Sequence, residues 1–245
     1  KNGDKKKSDY IFYQNNHHFL KPFIEGQDIR KYQITSSRYV EYKPQEHYLA
    51  LFPELFESQK IVSKDVVGKS GMLQMAYDER GFYNDHTVVN AVRWCDLQYV
   101  SYKNVVKANT KQKIEKSKTI SYLSILGFLN SKLSYWYFDK LFNIDLHFYP
   151  NTFQNMLIYR EKIPFVFDIL IRMNIQKTSE KLFSVIDALI FNLYFPVHMK
   201  ERGIDVLEYV ERDIERVMQD REFEALNDTV KEEVIEQLHK IWTDP

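Results

Sequence analysis

An apolar stretch from Ser124 to Phe138 constrains the fold of this chain more than any other part of its sequence. Its leucines and aromatic residues occupy almost every face of a helix, and a helix that is apolar all round has to be buried. Asn130 and Ser131 interrupt the stretch near its middle, where an unpaired buried amide would cost about 1–3 kcal/mol. We therefore predict one core helix over residues 121–142, with structural roles for Asn130 and Ser131 inside it.

The residues before this helix favour β-structure and contain one clear turn. The sequence Asp-Glu-Arg-Gly at 78–81 is typical of a type I turn with a left-handed glycine, which predicts a hairpin. By contrast, the six lysines between Lys103 and Lys118 predict a mobile basic segment. Strands are predicted at 10–13, 38–43, 60–67, 73–77, 87–93 and 98–102, with a short helix over 48–58.

The residues after the core helix predict further helices. An apolar i, i+3, i+4, i+7 stripe predicts a helix that Thr178 or Ser179 caps and Pro196 ends. A helical segment is predicted over 204–220, and a last helix capped by Asp228 follows. The second half of the chain is therefore predicted to be mainly helical.

Four segments, taken in order, resemble a known family. They are KPFIEGQDIRKY at 21–32, QKIV at 59–62 followed by AYDERGFY at 76–83, LGFLNSKL at 126–133 before an aromatic run, and IDALIFNLY at 186–194. Together they are similar to the TaqI-like C-terminal specificity domain. That domain is the target-recognition part of gamma-class adenine-N6 DNA methyltransferases and of fused type II restriction-modification enzymes. The resemblance gives Asp187, in the last segment, a structural role.

The resemblance implies an α+β fold with a mixed or antiparallel β-rich recognition part, a buried central helix and a helical C-terminal part. We expect residues 1–120 to form the β-rich target-recognition part. Residues 121–199 would supply the core helix and the closing helical part of the same domain, and residues 200–245 an acidic helical tail. The partners it implies are double-stranded DNA and an N-terminal catalytic domain of the same protein.

Catalysis is expected outside this chain. A methyltransferase of this kind needs a glycine-rich cofactor loop and an Asn-Pro-Pro-aromatic tetrapeptide, and neither occurs in the 245 residues. The chain does not begin with Met, so we interpret it as a piece of a longer protein. No catalytic residue, metal site or cofactor is predicted here, whereas S-adenosylmethionine, with Mg²⁺ as a further option, is expected in the full-length protein.

The charge distribution favours contact between the first half and phosphate. Residues 1–120 contain 20 Lys and Arg against 14 Asp and Glu, whereas residues 200–245 contain 7 against 14. Arg80, at the tip of the predicted hairpin, is the leading candidate for a base contact, with Asn84 and His86 on the outgoing strand. The candidate DNA-contacting residues are Lys21, Arg30, Lys31, Lys64, Lys69, Arg80, Asn84, His86, Arg93, Lys107, Lys111 and Lys113.

Two other functions stay open from the residues alone. Asp28, Glu41 and Lys43 have the composition of a Mg²⁺-dependent nuclease site, and the acidic tail would suit a helical interaction scaffold. The single cysteine, Cys95, excludes an internal disulfide framework and fits a reducing cytoplasm. No run of 18 uncharged apolar residues occurs, so membrane spanning is not expected.

Overall fold

The chain forms two compact units. The computed structural model describes residues 6–16, 19–46, 50–66, 73–142, 156, 159 and 163–243. The described residues up to Tyr122 form the first, which we call the β-rich unit, and those from Leu123 onwards form the second, the helical unit. The fold is α+β, as predicted. The predicted division at residues 120 and 199 into three parts stays a prediction.

The described strands of the β-rich unit form two main sheets and one small ribbon. In chain order they are β1 Ile11–Phe12, β2 Leu20–Ile24, β3 Ile29–Arg30, β4 Gln33–Ile34, β5 Arg38–Glu41, β6 Lys60–Lys64, β7 Met75–Asp78, β8 Tyr83–Asn84 and β9 Val88–Ala91. One sheet has the order β1-β5-β2-β8, and the other places β6 between β7 and β9. The pairing is antiparallel throughout, except that β8 runs parallel to β2.

Two separate cores result from the alternation of side chains along β2 and β8. Because successive residues of a strand point to opposite faces, Phe23 and Ile24 enter different clusters. Phe82 and Tyr83 divide between the same two clusters. One core is Ile24, Ile29, Val62, Ala76, Phe82 and Val88, and the other is Tyr10, Phe23, Val40, Phe56 and Tyr83. Residues 23–24 and 82–83 therefore contribute to both cores.

The predicted hairpin at 78–81 is wrong, although the turn itself forms. Gly81 has the expected left-handed conformation, with φ of +73°. However, β7 pairs with β6, while β8 pairs with β2 in the other sheet. The reason is burial, because Phe82 and Tyr83 are each only 2% exposed and draw the chain into the two cores instead of back along β7.

The lysine-rich segment after the sheets is helical, which corrects the prediction of a mobile segment. The described α-helices of this unit are α1 Pro53–Glu57, α2 Lys103–Ala108 and α3 Lys111–Lys118. Val105 packs with Leu97 and Val100, and this small apolar cluster anchors α2. The Thr110 side chain accepts a hydrogen bond from Lys113 N, which caps α3. The strand predicted over 98–102 is absent, because residues 98–99 lie in turns and residues 100–102 form an irregular segment that leads into α2 at Lys103.

The helical unit contains most of the remaining helices. They are α4 Tyr122–Leu129, whose first residue belongs to the β-rich unit, α5 Lys132–Phe142, α6 Phe165–Gln176, α7 Glu180–Tyr194, α8 Pro196–Glu201, α9 Leu207–Met218 and α10 Asp228–Thr243. Ser179 caps α7 by accepting a hydrogen bond from Leu182 N at 3.1 Å, as predicted. Helices α9 and α10 pack on each other and on α6. No helix in the described part of the chain has the length and apolarity needed to cross a bilayer.

The core helix predicted over 121–142 is two helices, and its polar pair lies at the break. Ser131 Oγ donates to Phe128 O at 2.7 Å and accepts from Ser134 N at 3.0 Å. The Asp187 carboxylate accepts a hydrogen bond from Lys132 N at 2.8 Å. Two side chains therefore satisfy the first N–H groups of α5. Only α4 is buried as expected, since Trp136 on α5 is 57% exposed.

Helix α4 packs closely against α6 at Gly127. A Cβ placed on Gly127 would lie 2.7 Å from side-chain atoms of both Phe167 and Ile171. The aromatic ring of the next residue, Phe128, stacks on Phe167 with 5.1 Å between ring centroids. Gly127 therefore lets α4 approach α6 closely, and a larger residue would displace the ends of the Phe167 and Ile171 side chains.

We predict that Ser131→Ala lowers the free energy of unfolding by about 1 kcal/mol, the usual cost of losing a helix cap. The measurement is urea denaturation followed by circular dichroism. Ser184→Ala is the matched control, because Ser184 is exposed within α7 and its hydroxyl donates to the carbonyl of Glu180 in the same helix. Equal effects of the two substitutions would contradict a capping role for Ser131.

Candidate nucleic-acid interface

A fully buried ion pair lies at one end of the β6–β7 ladder. Lys60 and Asp78 are cross-strand partners, and both side chains are 0% exposed. The Lys60 ammonium contacts the Asp78 carboxylate and also donates to the carbonyl of Phe56, at the end of α1. Burial lowers the pKa of Lys60, and the negative charge of Asp78 opposes that effect. The pair thus ties α1 to both strands.

The same carboxylate shapes the turn that follows β7. Asp78 Oδ1 accepts hydrogen bonds from Arg80 N at 2.9 Å and Gly81 N at 3.1 Å, and Oδ2 accepts one from Phe82 N at 2.9 Å. Four donors, the Lys60 ammonium included, therefore converge on one side chain. A carboxylate in such a setting fixes the backbone of the turn without any help from strand pairing.

This turn presents Arg80 to solvent. Arg80 is exposed, and its guanidinium carbon lies 4.8 Å from the centroid of the Phe82 ring, within the range of a cation–π contact. No carboxylate lies within ion-pair distance of it among the described residues. A fixed, unpaired guanidinium is suited to a base edge or a phosphate.

Apart from Lys6, the first described residue, and the half-buried Lys31, the described cations of the β-rich unit divide into two groups. The first forms ion pairs with carboxylates of the same unit: Lys7, Lys21, Arg38, Lys43, Lys60, Arg93 and Lys118. The second has no carboxylate within ion-pair distance among the described residues: Arg30, Lys64, Arg80, Lys103, Lys107, Lys111, Lys113 and Lys116. The second group is available to an external anion without breaking an internal pair.

Two of the sequence-predicted contacts belong to the first group. Lys21 Nζ lies 2.8 Å from Glu57 Oε1. Arg93 is held more firmly, by Asp96 at 2.8 Å and by the ring of Tyr122, whose centroid lies 4.4 Å from the guanidinium carbon. Tyr122 in turn donates to Asp96 at 2.8 Å, and burial raises the pKa of its hydroxyl. Arg93 thus has a clear internal role.

The structure does not place Asn84 and His86 on one strand face, because β8 ends at Asn84. The Asn84 side chain exchanges two hydrogen bonds with the Asn90 amide, at 2.7 and 3.1 Å. His86 follows in a turn, where its side chain is 90% exposed. The predicted shared face is therefore wrong, although His86 stays accessible to a ligand.

The remaining candidates occupy three places. Arg30 lies on β3 and Lys64 at the end of β6, with Lys31 half-buried beside Arg30. Lys107 and Lys111 are exposed on α2 and α3, while Lys113 lies over the Trp94 ring at 4.7 Å. Lys69 falls outside the described residues. Lys103 and Lys116 were missing from the candidate contacts predicted from the sequence. They join that set because the segment is helical and places them on α2 and α3 with the other lysines.

The carboxylates of the proposed nuclease set have separate local partners. Asp28 accepts from Glu25 N at 2.7 Å and pairs with Arg38, whereas Glu41 pairs with Lys43 at 2.8 Å. Across the ranges that the structure describes, no three His, Cys, Asp or Glu residues gather in a metal-ligating group.

A match to a protein-family model shows which family the chain belongs to. The TaqI-like C-terminal specificity domain matches residues 21–164, more than half of the chain. The chain belongs to this family. The match includes the Lys60–Asp78 pair and every member of the second cation group, and membership in a specificity-domain family supports recognition of a DNA target. No curated protein shows a match to this sequence.

We predict that Lys60→Met destabilises this specificity domain by about 3–5 kcal/mol, because it leaves the Asp78 charge buried without its partner. The double variant Lys60→Met/Asp78→Asn should lose less than the single variant, since the amide oxygen can still accept from the turn. Urea denaturation measures both effects. Lys43→Met, which breaks a partly exposed pair, is the control and should change stability by under about 1 kcal/mol. A double variant less stable than Lys60→Met would contradict this account.

Proposed function

We propose that this chain is the sequence-specific DNA-binding part of an adenine-N6 DNA methyltransferase or a type II restriction-modification enzyme. The observation that carries the proposal is the coincidence of the family match over 21–164 with the unpaired cations at positions 30 to 116. In the proposal, an N-terminal catalytic domain binds S-adenosylmethionine, with Mg²⁺ added if the protein also cleaves DNA. This chain binds the DNA and positions it for the catalytic domain.

The proposal assigns different roles to two kinds of DNA contact. Lysines on α2 and α3 contact phosphates, which gives affinity and register without sequence choice. Arg80 reaches a base edge, because a fixed guanidinium can donate two parallel hydrogen bonds to guanine in the major groove. The Lys60–Asp78 pair supports this second contact by holding the turn in one conformation before DNA arrives.

The phosphate contacts predict a salt dependence. Replacing Lys107, Lys111 and Lys113 together with Ala should flatten the slope of log K against log salt by about 0.9 for each phosphate that the variant no longer neutralises. The measurement is fluorescence anisotropy of a labelled duplex over a range of salt concentrations. The matched control removes three exposed cations of the helical unit, Lys200, Arg202 and Lys240, with the same change in net charge. Equal slopes for the two triple variants would contradict a role for α2 and α3.

The base contact predicts a change in sequence preference. Arg80→Ala should relax the preference at one base pair, worth about 1–3 kcal/mol of discrimination. Binding-site selection with the full-length protein measures this, with Arg202→Ala as the control arginine and Asn84→Ala as a comparison. A uniform loss of affinity would make Arg80 a phosphate contact, and an unchanged profile would remove the turn from the interface.

A further inference from the structure

A pocket of about 410 Å³ lies beside the end of β6 in the β-rich unit. It is lined by Glu25, Gly26, Gln27, Lys64, Val66 and Thr87. Gly26 builds a firm wall, because its N–H donates to Thr87 Oγ1 at 2.9 Å and a Cβ at this position would lie 2.8 Å from Thr87 O. The wall is therefore backbone, held in place by a side chain of the neighbouring turn.

Of two cations without carboxylate partners, one lines this pocket and the other is hydrogen-bonded to a lining residue. Lys64 lines it directly. Arg30 is fixed beside it, because Nη1 donates to the carbonyls of Gln27 at 2.7 Å and Ile29 at 3.1 Å. Partial burial, and then the positive charge of Arg30, lower the pKa of Lys64. The positive charges of Arg30 and Lys64 thus repel each other, whereas many other cations of this unit are paired with a carboxylate.

The one carboxylate that lines the pocket is already engaged. Glu25 Oε2 accepts from Arg38 at 2.5 Å and from Gln27 Nε2 at 2.9 Å, and Oε1 pairs with Lys7. Burial would raise the pKa of Glu25, but its hydrogen bonds with Lys7 and Arg38 outweigh that effect and lower it. Lys7 and Arg38 therefore pair with Glu25, and they also contact Asp85 and Asp28, respectively. Neither of these two cations is Arg30 or Lys64.

We propose that Arg30 and Lys64 hold a single phosphate group between them, which in the DNA complex is one phosphate of the backbone. The proposal rests on the proposed function and adds to it that these two residues act as one unit. A phosphate supplies the missing anion, relieves the repulsion between the two cations and accepts the remaining guanidinium donors. A pocket of this volume also leaves room for the adjoining sugar.

The one-phosphate arrangement makes a quantitative prediction for the salt slope. Arg30→Gln/Lys64→Gln should flatten the slope of log K against log salt by about 0.9, the value for one phosphate, and not by about 1.8. Sequence preference should stay that of the wild type. The charge-preserving variant Arg30→Lys/Lys64→Arg should keep the wild-type slope. Lys200→Ala/Arg202→Ala, which removes one Lys and one Arg from the helical unit, is the matched control. Thermal melting establishes that each variant is folded.

A neutral phosphate tests whether the two cations share one group. Duplexes in which one phosphate at a time is replaced by methylphosphonate should include one position where the double variant and the wild type bind with equal affinity. A drop of about 1.8 in slope, or two such positions, would overturn the single-phosphate proposal. An unchanged slope would overturn it as well, and the proposed function would still stand if the α2–α3 triple variant flattens the slope.

A measurement without DNA separates this proposal from the proposed function. The Lys64 pKa, followed by NMR of the ¹³Cε–¹⁵Nζ group, should rise when inorganic phosphate is added to the wild type. It should not rise in Arg30→Gln. If the chain binds no duplex at all, the proposed function fails, and this titration alone decides the anion site. No response to phosphate in that case would overturn the site.

Discussion

The buried pair between Lys60 and Asp78 is the interaction on which the β-rich unit depends. A charge taken fully out of water is costly, and an apolar pair of similar volume would often be at least as stable. What apolar side chains cannot do is bind the Phe56 carbonyl and three backbone N–H groups of the turn. The main role of the pair is therefore to fix the backbone geometry of the turn that follows β7. That turn carries Arg80.

The helical unit also uses a buried carboxylate to satisfy a backbone N–H group. Its apolar centre is broken at Ser131, and a carboxylate from a distant helix, Asp187, accepts the first N–H of α5 at 2.8 Å. Asp78 and Asp187 both lie in segments that carry the family resemblance. Both are buried and satisfy backbone groups where a regular element begins or ends. The motifs that identify the family thus combine buried scaffold residues, such as Asp78 and Asp187, with exposed cations, such as Arg30 and Arg80.

Local features of the fold were predictable from the sequence, and remote pairings were not. The α7 cap at Ser179 and the strand at β6 depend on neighbouring residues, so the patterns predicted them. The partner of β8 is β2, about 60 residues earlier, and no turn composition could indicate that choice. The break in the core helix depends on Asp187, 55 residues away from Lys132. The pairing of individual cations was equally remote, since Lys21 contacts Glu57, 36 residues further along the chain, whereas Lys64 has no carboxylate within ion-pair distance among the described residues.

Hydrogen exchange with and without a duplex chosen by binding-site selection tests the central claim most directly. The claim is that the β-rich unit carries a preformed DNA-contacting surface whose turn at 79–82 is set by Asp78. The amides of Arg80, Gly81 and Phe82 should then exchange slowly in the free chain, and DNA should add protection around β3, the end of β6 and α2–α3. Helices α9 and α10 should exchange at the same rate in both states. Rapid exchange at the turn in the free chain, or protection by DNA confined to the helical unit, would contradict the claim.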